Sequence, residues 1–143
     1  MEKKLVNRWL LVSFLVLVSY QVAHATQVSA LSPDGSVMVT VGVKSGKCFY
    51  NVKYQGILIV DDSRLGFLLD DGEVGAHAKM LSKRHASKDE TWKQLWGEDE
   101  EVRNHYNELT ICFQEKSGSR RRMDVVFRVF NDGIGFRYIL PDT

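Results

Sequence analysis

The sequence has little proline, little cysteine and no surplus of charge of either sign. Its 143 residues include 2 prolines and 2 cysteines, and 19 basic side chains nearly balance 18 acidic ones. Two prolines exclude a proline-rich linker protein, and the balanced charge removes the electrostatic basis for binding nucleic acid. A catalytic (β/α)8 barrel takes about 250 residues, so the chain is too short to contain one. Since 44% of the residues are apolar, the composition indicates one packed domain.

Long apolar runs are also missing, because the one extended run covers only residues 9–18. A helix needs about 20 such residues to span a bilayer. Lys3, Lys4 and Arg8 precede the run, and Ala23-His24-Ala25 follows it with small residues where a signal peptidase cleaves. Residues 1–25 therefore predict a secretory signal peptide, and an uncleaved membrane anchor is the less favoured alternative. We expect an exported mature domain of residues 26–143, with no membrane span after cleavage.

Export permits a disulfide between the two cysteines, but their positions in the hydrophobic pattern argue against one. Cys48 lies in phase with the apolar residues of its segment, whereas Cys112 lies opposite the apolar residues of its own. The mismatch favours two buried free thiols over a bridge, and leaves the pairing open. With no second pair of cysteines, a zinc site or a redox motif is not expected.

The body of the chain alternates apolar and polar residues, which places the apolar side chains on one face of a strand. The alternation covers residues 37–43, 48–54, 109–113, 123–129 and 134–140. Glycine-containing turns such as Ser45-Gly46, Gln55-Gly56 and Asn131-Asp132-Gly133 separate the runs, which favours hairpins. We predict an all-β fold, an antiparallel β-sandwich of about seven strands with almost no helix.

The alternation weakens between residues 75 and 106, where charged residues cluster around Trp92 and Trp96. This stretch predicts a long irregular loop with a functional role, because loops of that length are otherwise disordered and tryptophans argue against disorder.

Two further expectations concern the C-terminal part. Arg120-Arg121-Arg122 is interpreted as a solvated hairpin tip, and the last hairpin, residues 123–140, is expected to expose apolar side chains at an unpaired edge.

Three segments and a turn resemble the N-terminal domain of glycoside hydrolase family 97, the bacterial α-glucosidases and α-galactosidases. The segments are DETWKQLWGE at 89–98, VRNHYNEL at 102–109 and FRVFNDGIGFRY at 127–138, and the turn is LSPDG at 31–35. The resemblance implies a β-sandwich of the galactose-mutarotase-like super-sandwich type, incomplete in this chain and followed in the parent by a (β/α)8 barrel. The chain is then a fragment or a truncated gene product, and a natural short protein is the alternative.

The same resemblance implies where the chemistry lies. The catalytic carboxylates belong to the barrel, so this chain has no catalytic residue, no metal ligand and no cofactor of its own, and is expected to be inactive alone. A calcium ion is expected in the parent enzyme. The implied partners are α-glucoside or α-galactoside oligosaccharides and the intramolecular barrel, and the implied location is the periplasm of a Gram-negative bacterium or the exterior. The preferred sugar, and a retaining or inverting mechanism, are left open.

Seven residues are candidates for contacting the substrate or facing the barrel. They are Trp92, Trp96, Glu98, Arg103, Asn104, Asn107 and Glu108. The tryptophans are interpreted as packing residues, with sugar stacking as the alternative. Arg103 and Asn104 favour bracing over sugar recognition. Glu98 and Glu108 are not expected to be a catalytic pair, and His105 and Glu108 would face opposite sides of a strand and so could not share a metal. A free-standing carbohydrate-binding or protein-interaction module remains the alternative function.

Overall fold

The computed structural model describes residues 26–70, 72–93, 95 and 101–141. The predicted signal peptide, residues 1–25, lies outside these residues. The described residues form strands connected by turns: β1 (Thr26–Leu31), β2 (Val37–Lys44), β3 (Lys47–Tyr54), β4 (Ile57–Arg64), β5 (Phe67–Leu69), β6 (Gly72–Val74), β7 (Ala78–Lys93), β8 (Glu101–Glu115), β9 (Arg122–Val129) and β10 (Ile134–Ile139). Within the described ranges there is no helix of the length and apolarity that crossing a membrane requires.

The strands build two four-stranded sheets and one small hairpin. The first sheet has the order β1-β2-β3-β4, the second has the order β10-β9-β8-β7, and β5 pairs with β6. All the pairings are antiparallel. The predicted antiparallel β-sandwich is confirmed, with ten described strands where the sequence indicated about seven.

The core lies between the two four-stranded sheets and is built from the residues that the alternation predicts. Val39 and Val41 of β2 are fully buried, as are Leu109 of β8 and Phe127 of β9. Their polar neighbours in sequence point to the other face of each sheet, because successive side chains of a strand alternate. The five runs with period two therefore correspond to β2, β3, β8, β9 and β10.

Two of the predicted turns are the two-residue hairpins that join β2 to β3 and β3 to β4. Both central residues have positive φ, 52° and 77° at Ser45-Gly46, and 49° and 81° at Gln55-Gly56. These values define type I′ turns, whose twist matches that of the flanking strands. Glycine at the second position lowers the cost of the left-handed conformation, and so the turns set the register of the first sheet.

The predicted irregular loop at residues 75–106 is wrong. Most of it forms β7 and the first part of β8, which pair continuously from Ala78↔Glu115 to Lys93↔Glu101 with one bulge near Leu81. β9 pairs only with residues 107–114 of β8. Residues 88–93 and 101–106 therefore extend beyond the second sheet as a two-stranded ribbon, here called the arm.

A second correction concerns the arginine run. Arg121 does not lie at a solvated tip, because its guanidinium pairs with the buried carboxylate of Glu115 at 3.0 Å. Its side chain also donates to the carbonyl oxygen of Glu73 at 3.4 Å, which joins the second sheet to the β5–β6 hairpin. Arg120 and Arg122 are exposed, as expected for the ends of such a turn.

Both cysteines are free thiols, as the hydrophobic pattern favoured. Cys48 of β3 is buried in the core, whereas Cys112 of β8 is only half-buried because it points to the other face of its sheet. Burial raises the pKa of the Cys48 thiol to about 12. Burial, together with the neighbouring Asp124, raises the pKa of Cys112 to about 11. Both groups are therefore protonated at neutral pH.

The two sides of the sandwich, where the edge strands lie, differ in chemistry. Tyr50 of β3 contacts Phe127 and Phe136, which places β4 and β10 on the same side of the sandwich. On the other side, the Asn107 side chain donates to the carbonyl oxygen of Leu31 at 2.8 Å, which ties β8 to β1 near β7. The β7 edge is rich in charged residues, although Leu81 and Trp92 are exposed on it. The β4 edge exposes apolar residues at its start, Ile57, Leu58 and Ile59, and β10 exposes Phe136 and Ile139.

Candidate functional site

The candidate residues lie on both faces of β8, so the structure divides them into two groups. The register pairs Glu90 with Asn104, Trp92 with Val102, and Glu108 with Arg128. Residues that pair directly share a face of the sheet, and even-numbered positions of this part of β8 face away from the core. Trp92, Asn104 and Glu108 therefore share the outer face, and Arg103 and Asn107 lie on the opposite face.

The outer-face residues form a continuous row of polar and aromatic side chains, here called the strip, running from the arm to β9. It comprises Glu90, Trp92, Asn104, Tyr106, Glu108 and Arg128. The Asn104 amide donates to Glu90 at 3.0 Å. The Arg128 guanidinium lies 4.6 Å from the centroid of the Tyr106 ring and donates to Glu108 at 3.1 Å.

Both carboxylates of the strip are held by hydrogen bonds and by a cationic side chain. Glu90 accepts from Asn104 and lies 2.7 Å from the Lys88 ammonium, and these hydrogen bonds lower the pKa of the Glu90 carboxyl below its ordinary value. Glu108 has a largely buried side chain, 15% exposed, and is paired with Arg128. A glycosidase acid needs a raised pKa to be protonated at neutral pH. The lowered pKa of Glu90 is the opposite of what such an acid needs, and the Glu108 side chain serves to hold Arg128 on the strip.

The opposite face braces the arm and the sandwich. Arg103 forms a bidentate pair with Asp89, with nitrogen–oxygen distances of 2.9 and 2.7 Å. The pair lowers the pKa of Asp89 and raises that of Arg103. Asn107 uses its amide to join the two sheets through Leu31. Both residues thus have bracing contacts, as the sequence favoured for Arg103.

Trp92 lies near the end of the arm. Trp92 is described and is 45% exposed, and Leu95 beyond it is 90% exposed. Trp96 and Glu98 lie outside the described residues. Trp92 is the exposed aromatic residue of the strip, because Tyr106 is buried against Phe130 and Arg128.

The sequence analysis missed Tyr106, Phe130 and Arg128 as members of this site. All three belong to segments that carry the family resemblance, at 102–109 and 127–138. Phe130 also lines a shallow cavity of about 300 Å³ with Arg128, Phe136 and Arg137. The sequence did carry a signal for two of them. Arg128 and Phe130 are two residues apart on an extended segment, and such residues lie on the same face.

Two turns that carry the resemblance also meet in space. The Asp34 carboxylate accepts from the Ser32 hydroxyl at 2.6 Å and from the Ser36 hydroxyl and amide, which lowers the pKa of Asp34. The Asp34 amide donates to the Asn131 side chain at 3.1 Å. This corner fixes the β1–β2 turn of one sheet against the β9–β10 turn of the other.

Metal binding finds no support in the described ranges, where no group of three or more His, Cys, Asp or Glu residues is placed to hold an ion. His105 and Glu108 lie on opposite faces of β8, as expected from their spacing. The calcium ion implied by the resemblance thus has no ligand cluster among the described residues, and a calcium site in the parent enzyme stays a prediction.

The fold and the strip define an all-β sandwich domain with a projecting two-stranded arm. The chain belongs to the glycosyl-hydrolase 97 N-terminal family, whose family model matches residues 31–143. It is 33% identical over 125 residues to a retaining α-galactosidase of Bacteroides thetaiotaomicron. That alignment spans 87% of this chain and 18% of the relative.

Solved structures agree with this membership. A family 97 glycoside hydrolase from Pseudoalteromonas sp. strain K8, solved with panose, matches with a TM-score of 0.77 at 26% identity. A β-arabinopyranosidase matches with a TM-score of 0.73 at 27% identity. Each match covers 81% of this chain and 18% of the solved chain. The chain therefore spans less than a fifth of the length of these relatives.

Proposed function

We propose that the chain is the non-catalytic N-terminal β-sandwich portion of an exported family 97 glycoside hydrolase acting on α-linked glucosides or galactosides. Its role is to support the catalytic (β/α)8 barrel and to contribute carbohydrate contacts. The observation that carries this proposal is the arm, which projects from a family 97 N-terminal sandwich and presents the exposed ring of Trp92.

The position of the carboxylates supports catalysis elsewhere. Glycoside hydrolysis takes two carboxyl groups about 5 to 10 Å apart, one of them able to donate a proton. The candidate-site carboxylates Asp89, Glu90 and Glu108 are each paired with a cationic side chain. The pairs of Asp89 and Glu90 lower the pKa of those two carboxyl groups, which disfavours a proton donor at either position.

Two experiments test this proposal. The chain alone is assayed with 4-nitrophenyl α-glucoside and α-galactoside, where we expect no release above buffer. A chimera is then made in which this chain replaces the matching 125 residues of the Bacteroides α-galactosidase. We expect the chimera to hydrolyse α-galactosides, whereas sugar release by the chain alone, or a folded but inactive chimera, would contradict the proposal.

The role of the arm is tested in the same chimera. Trp92→Ala is expected to raise KM or lower kcat, because the exposed ring is placed to contact sugar or barrel. Leu68→Ala is the matched control, since Leu68 is 80% exposed on β5, away from the arm.

Reading the DNA downstream of codon 143 separates this function from a free-standing module, which requires a stop codon in an intact gene.

A further inference from the structure

The outer face of the second sheet carries a cavity that the proposed function does not use. Its volume of about 300 Å³ is at the lower end of the range of small-molecule sites, roughly 300 to 1,000 Å³, and gives room for one sugar ring. The lining comes from β9, β10 and the turn between them, and comprises Val126, Arg128, Phe130, Gly135, Phe136 and Arg137. These residues define what is here called the outer cavity.

The strand register explains why the cavity forms. Arg137 pairs with Val126 and Gly135 pairs with Arg128, so these four residues share the outer face of the sheet. Gly135 has no side chain, and a Cβ built there would meet no atom within 4 Å. The missing side chain of Gly135 therefore keeps the space beside Arg128 open.

Two guanidinium groups give the outer cavity its charge. Arg128 donates to Glu108 through its Nε atom, and its terminal amino groups have no hydrogen-bond partner among the described residues. The exposed side chain of Arg137 forms no ion pair or hydrogen bond within the described ranges. Asp124, the one carboxylate of β9, lies two residues further along the strand, opposite Ile139. The cavity therefore presents N–H donors of two cations that the described part of the chain leaves unpaired.

The uncharged part of the lining suits a ring better than a bare ion. Val126, Phe130 and Phe136 contribute apolar side chains to the same cavity. Small-molecule sites combine such apolar surface with a few polar groups that fix the orientation of the ligand. Guanidinium groups match a carboxylate with two parallel N–H···O bonds, and such charge-assisted bonds are stronger than bonds to a neutral hydroxyl. The combination favours a ring that carries a carboxylate.

We infer that the outer cavity binds a hexuronic acid unit, a sugar whose carboxylate is held by Arg137 and the terminal amino groups of Arg128. This ligand class goes beyond the proposed function, which concerns neutral glucosides and galactosides. The choice of a sugar as the carrier of the carboxylate rests on the proposed function, whereas the choice of a carboxylate rests on the two arginines. The site is separate from the arm, because β10 and β7 are opposite edges of the sheet.

Amide chemical-shift changes of the chain at pH 7 measure the binding, with D-galacturonate, D-galactose and acetate as probes. Galacturonate has a ring and a carboxylate, whereas galactose has the ring alone and acetate the carboxylate alone. We expect saturable shifts at residues 126–130 and 134–138 with galacturonate, with a dissociation constant on the order of 1 mM for a ligand of this size. Galactose and acetate should each bind about tenfold more weakly or less. Added salt should weaken the binding of galacturonate, because it screens the ion pair.

Two pairs of variants locate the site. Arg137→Gln removes an exposed guanidinium and should weaken galacturonate binding by about tenfold. Arg122→Gln is its matched control, since Arg122 is an exposed arginine of β9 outside the lining. Gly135→Val should abolish binding by filling the cavity, because the position has open space and valine suits a strand. Gly133→Val, which also meets open space but lies outside the lining, should bind normally. Thermal denaturation checks that each variant is folded.

The inference is overturned if galacturonate gives no saturable shift. Equal binding of acetate would show an anion site without sugar recognition, and equal binding of galactose would show that the charge is not used, and either result also overturns it. So does equal weakening by Arg137→Gln and Arg122→Gln, which indicates a diffuse positive surface. All these outcomes leave the proposed function standing, because the activity of the α-galactosidase chimera decides that function separately. A folded but inactive chimera, with galacturonate binding intact, contradicts the proposed function and leaves the outer cavity as a hexuronate site.

Discussion

At the scale of single residues, charge pairing explains the candidate site better than sugar chemistry does. Arg103 was selected from the sequence as a donor for sugar hydroxyls or for bracing, and Asn107 as a residue facing the substrate or the barrel, and both have bracing contacts. Glu108 was selected with them and lies in the strip, paired with Arg128. The sequence showed which residues could form such contacts. It did not show their hydrogen-bonding and ion-pair partners, because these depend on the register between neighbouring strands.

The Glu108–Arg128 pair is expected to stabilise the strip. A double-mutant cycle with Glu108→Gln and Arg128→Gln should give a coupling of about 1 kcal/mol in the free energy of unfolding, because the carboxylate is largely buried but the guanidinium is partly solvated. Urea denaturation measures the coupling. A cycle on the exposed Lys44–Asp62 pair is the control and should give less.

The thiols provide a second prediction at this scale. Cys48 belongs to the first sheet, and Cys112 lies on the outer face of the second, so the two side chains cannot meet without refolding. We expect the same mass and the same Tm with and without reductant. A mass lower by two hydrogens under non-reducing conditions, restored by reductant in a monomer, would contradict the structure.

At the scale of elements, the hydrophobic pattern predicted the strands that have one buried face. β2, β3, β8 and β9 contribute buried residues to the core, and β10 packs the partly buried Ile134 and Tyr138 against it. β7 was missed because it is an edge strand whose residues are nearly all exposed, so its sequence has no period of two to read. The arm was missed for the same reason.

The arm is expected to open as the pH falls. A two-stranded ribbon is marginally stable by itself, and the Arg103–Asp89 pair braces this one. The pair lowers the folded-state pKa of Asp89 from its ordinary 3.8. Its contribution is therefore complete above the unfolded pKa and is lost as the pH falls through the lower, folded one.

Amide protection by NMR measures this opening. Protection of residues 101–106 should fall between about pH 5 and pH 2, while that of 107–114, paired on both sides, is retained. Arg103→Gln should reduce arm protection at pH 7 and weaken its pH dependence, leaving the part that Glu90 contributes through Lys88 and Asn104. If Arg103→Gln leaves the pH dependence unchanged, Asp89 is not the group that controls the arm.

The corner after β4 gives a sharper prediction for an element. Gly66 has φ of 136°, and a Cβ added there would lie 2.2 Å from the carbonyl oxygen of Val74. Gly66→Ala should therefore lower the free energy of unfolding by about 2 kcal/mol or more, through backbone strain and displacement of β6. Gly133→Ala, where a Cβ meets open space, is the control for thermal denaturation.

At the scale of the whole molecule, the two sides of the sandwich differ in how much apolar surface their edge strands expose. The sequence predicted an exposed apolar edge in the last hairpin, and β10 is indeed an edge strand with Phe136 and Ile139 exposed. Its partner β9 lies inside the sheet with Val125 and Phe127 buried, so the exposure is confined to β10. The β4 edge was not predicted, because residues 57–60 read as a buried run in the absence of sheet order.

The chain alone is expected to self-associate weakly through the β4 and β10 edges, because edge strands with exposed apolar residues pair with one another when no other segment covers them. Light scattering of the chain that begins at Thr26, the expected mature start, should show a mean mass that rises with concentration. Ile57→Lys with Ile59→Lys should suppress that rise, since charge on an edge opposes pairing. Leu81→Lys, on the polar β7 edge, should leave it unchanged. A clean monomer at every concentration would mean that the β4 and β10 edges tolerate water, and a rise that survives the double substitution would place the association elsewhere on the molecule.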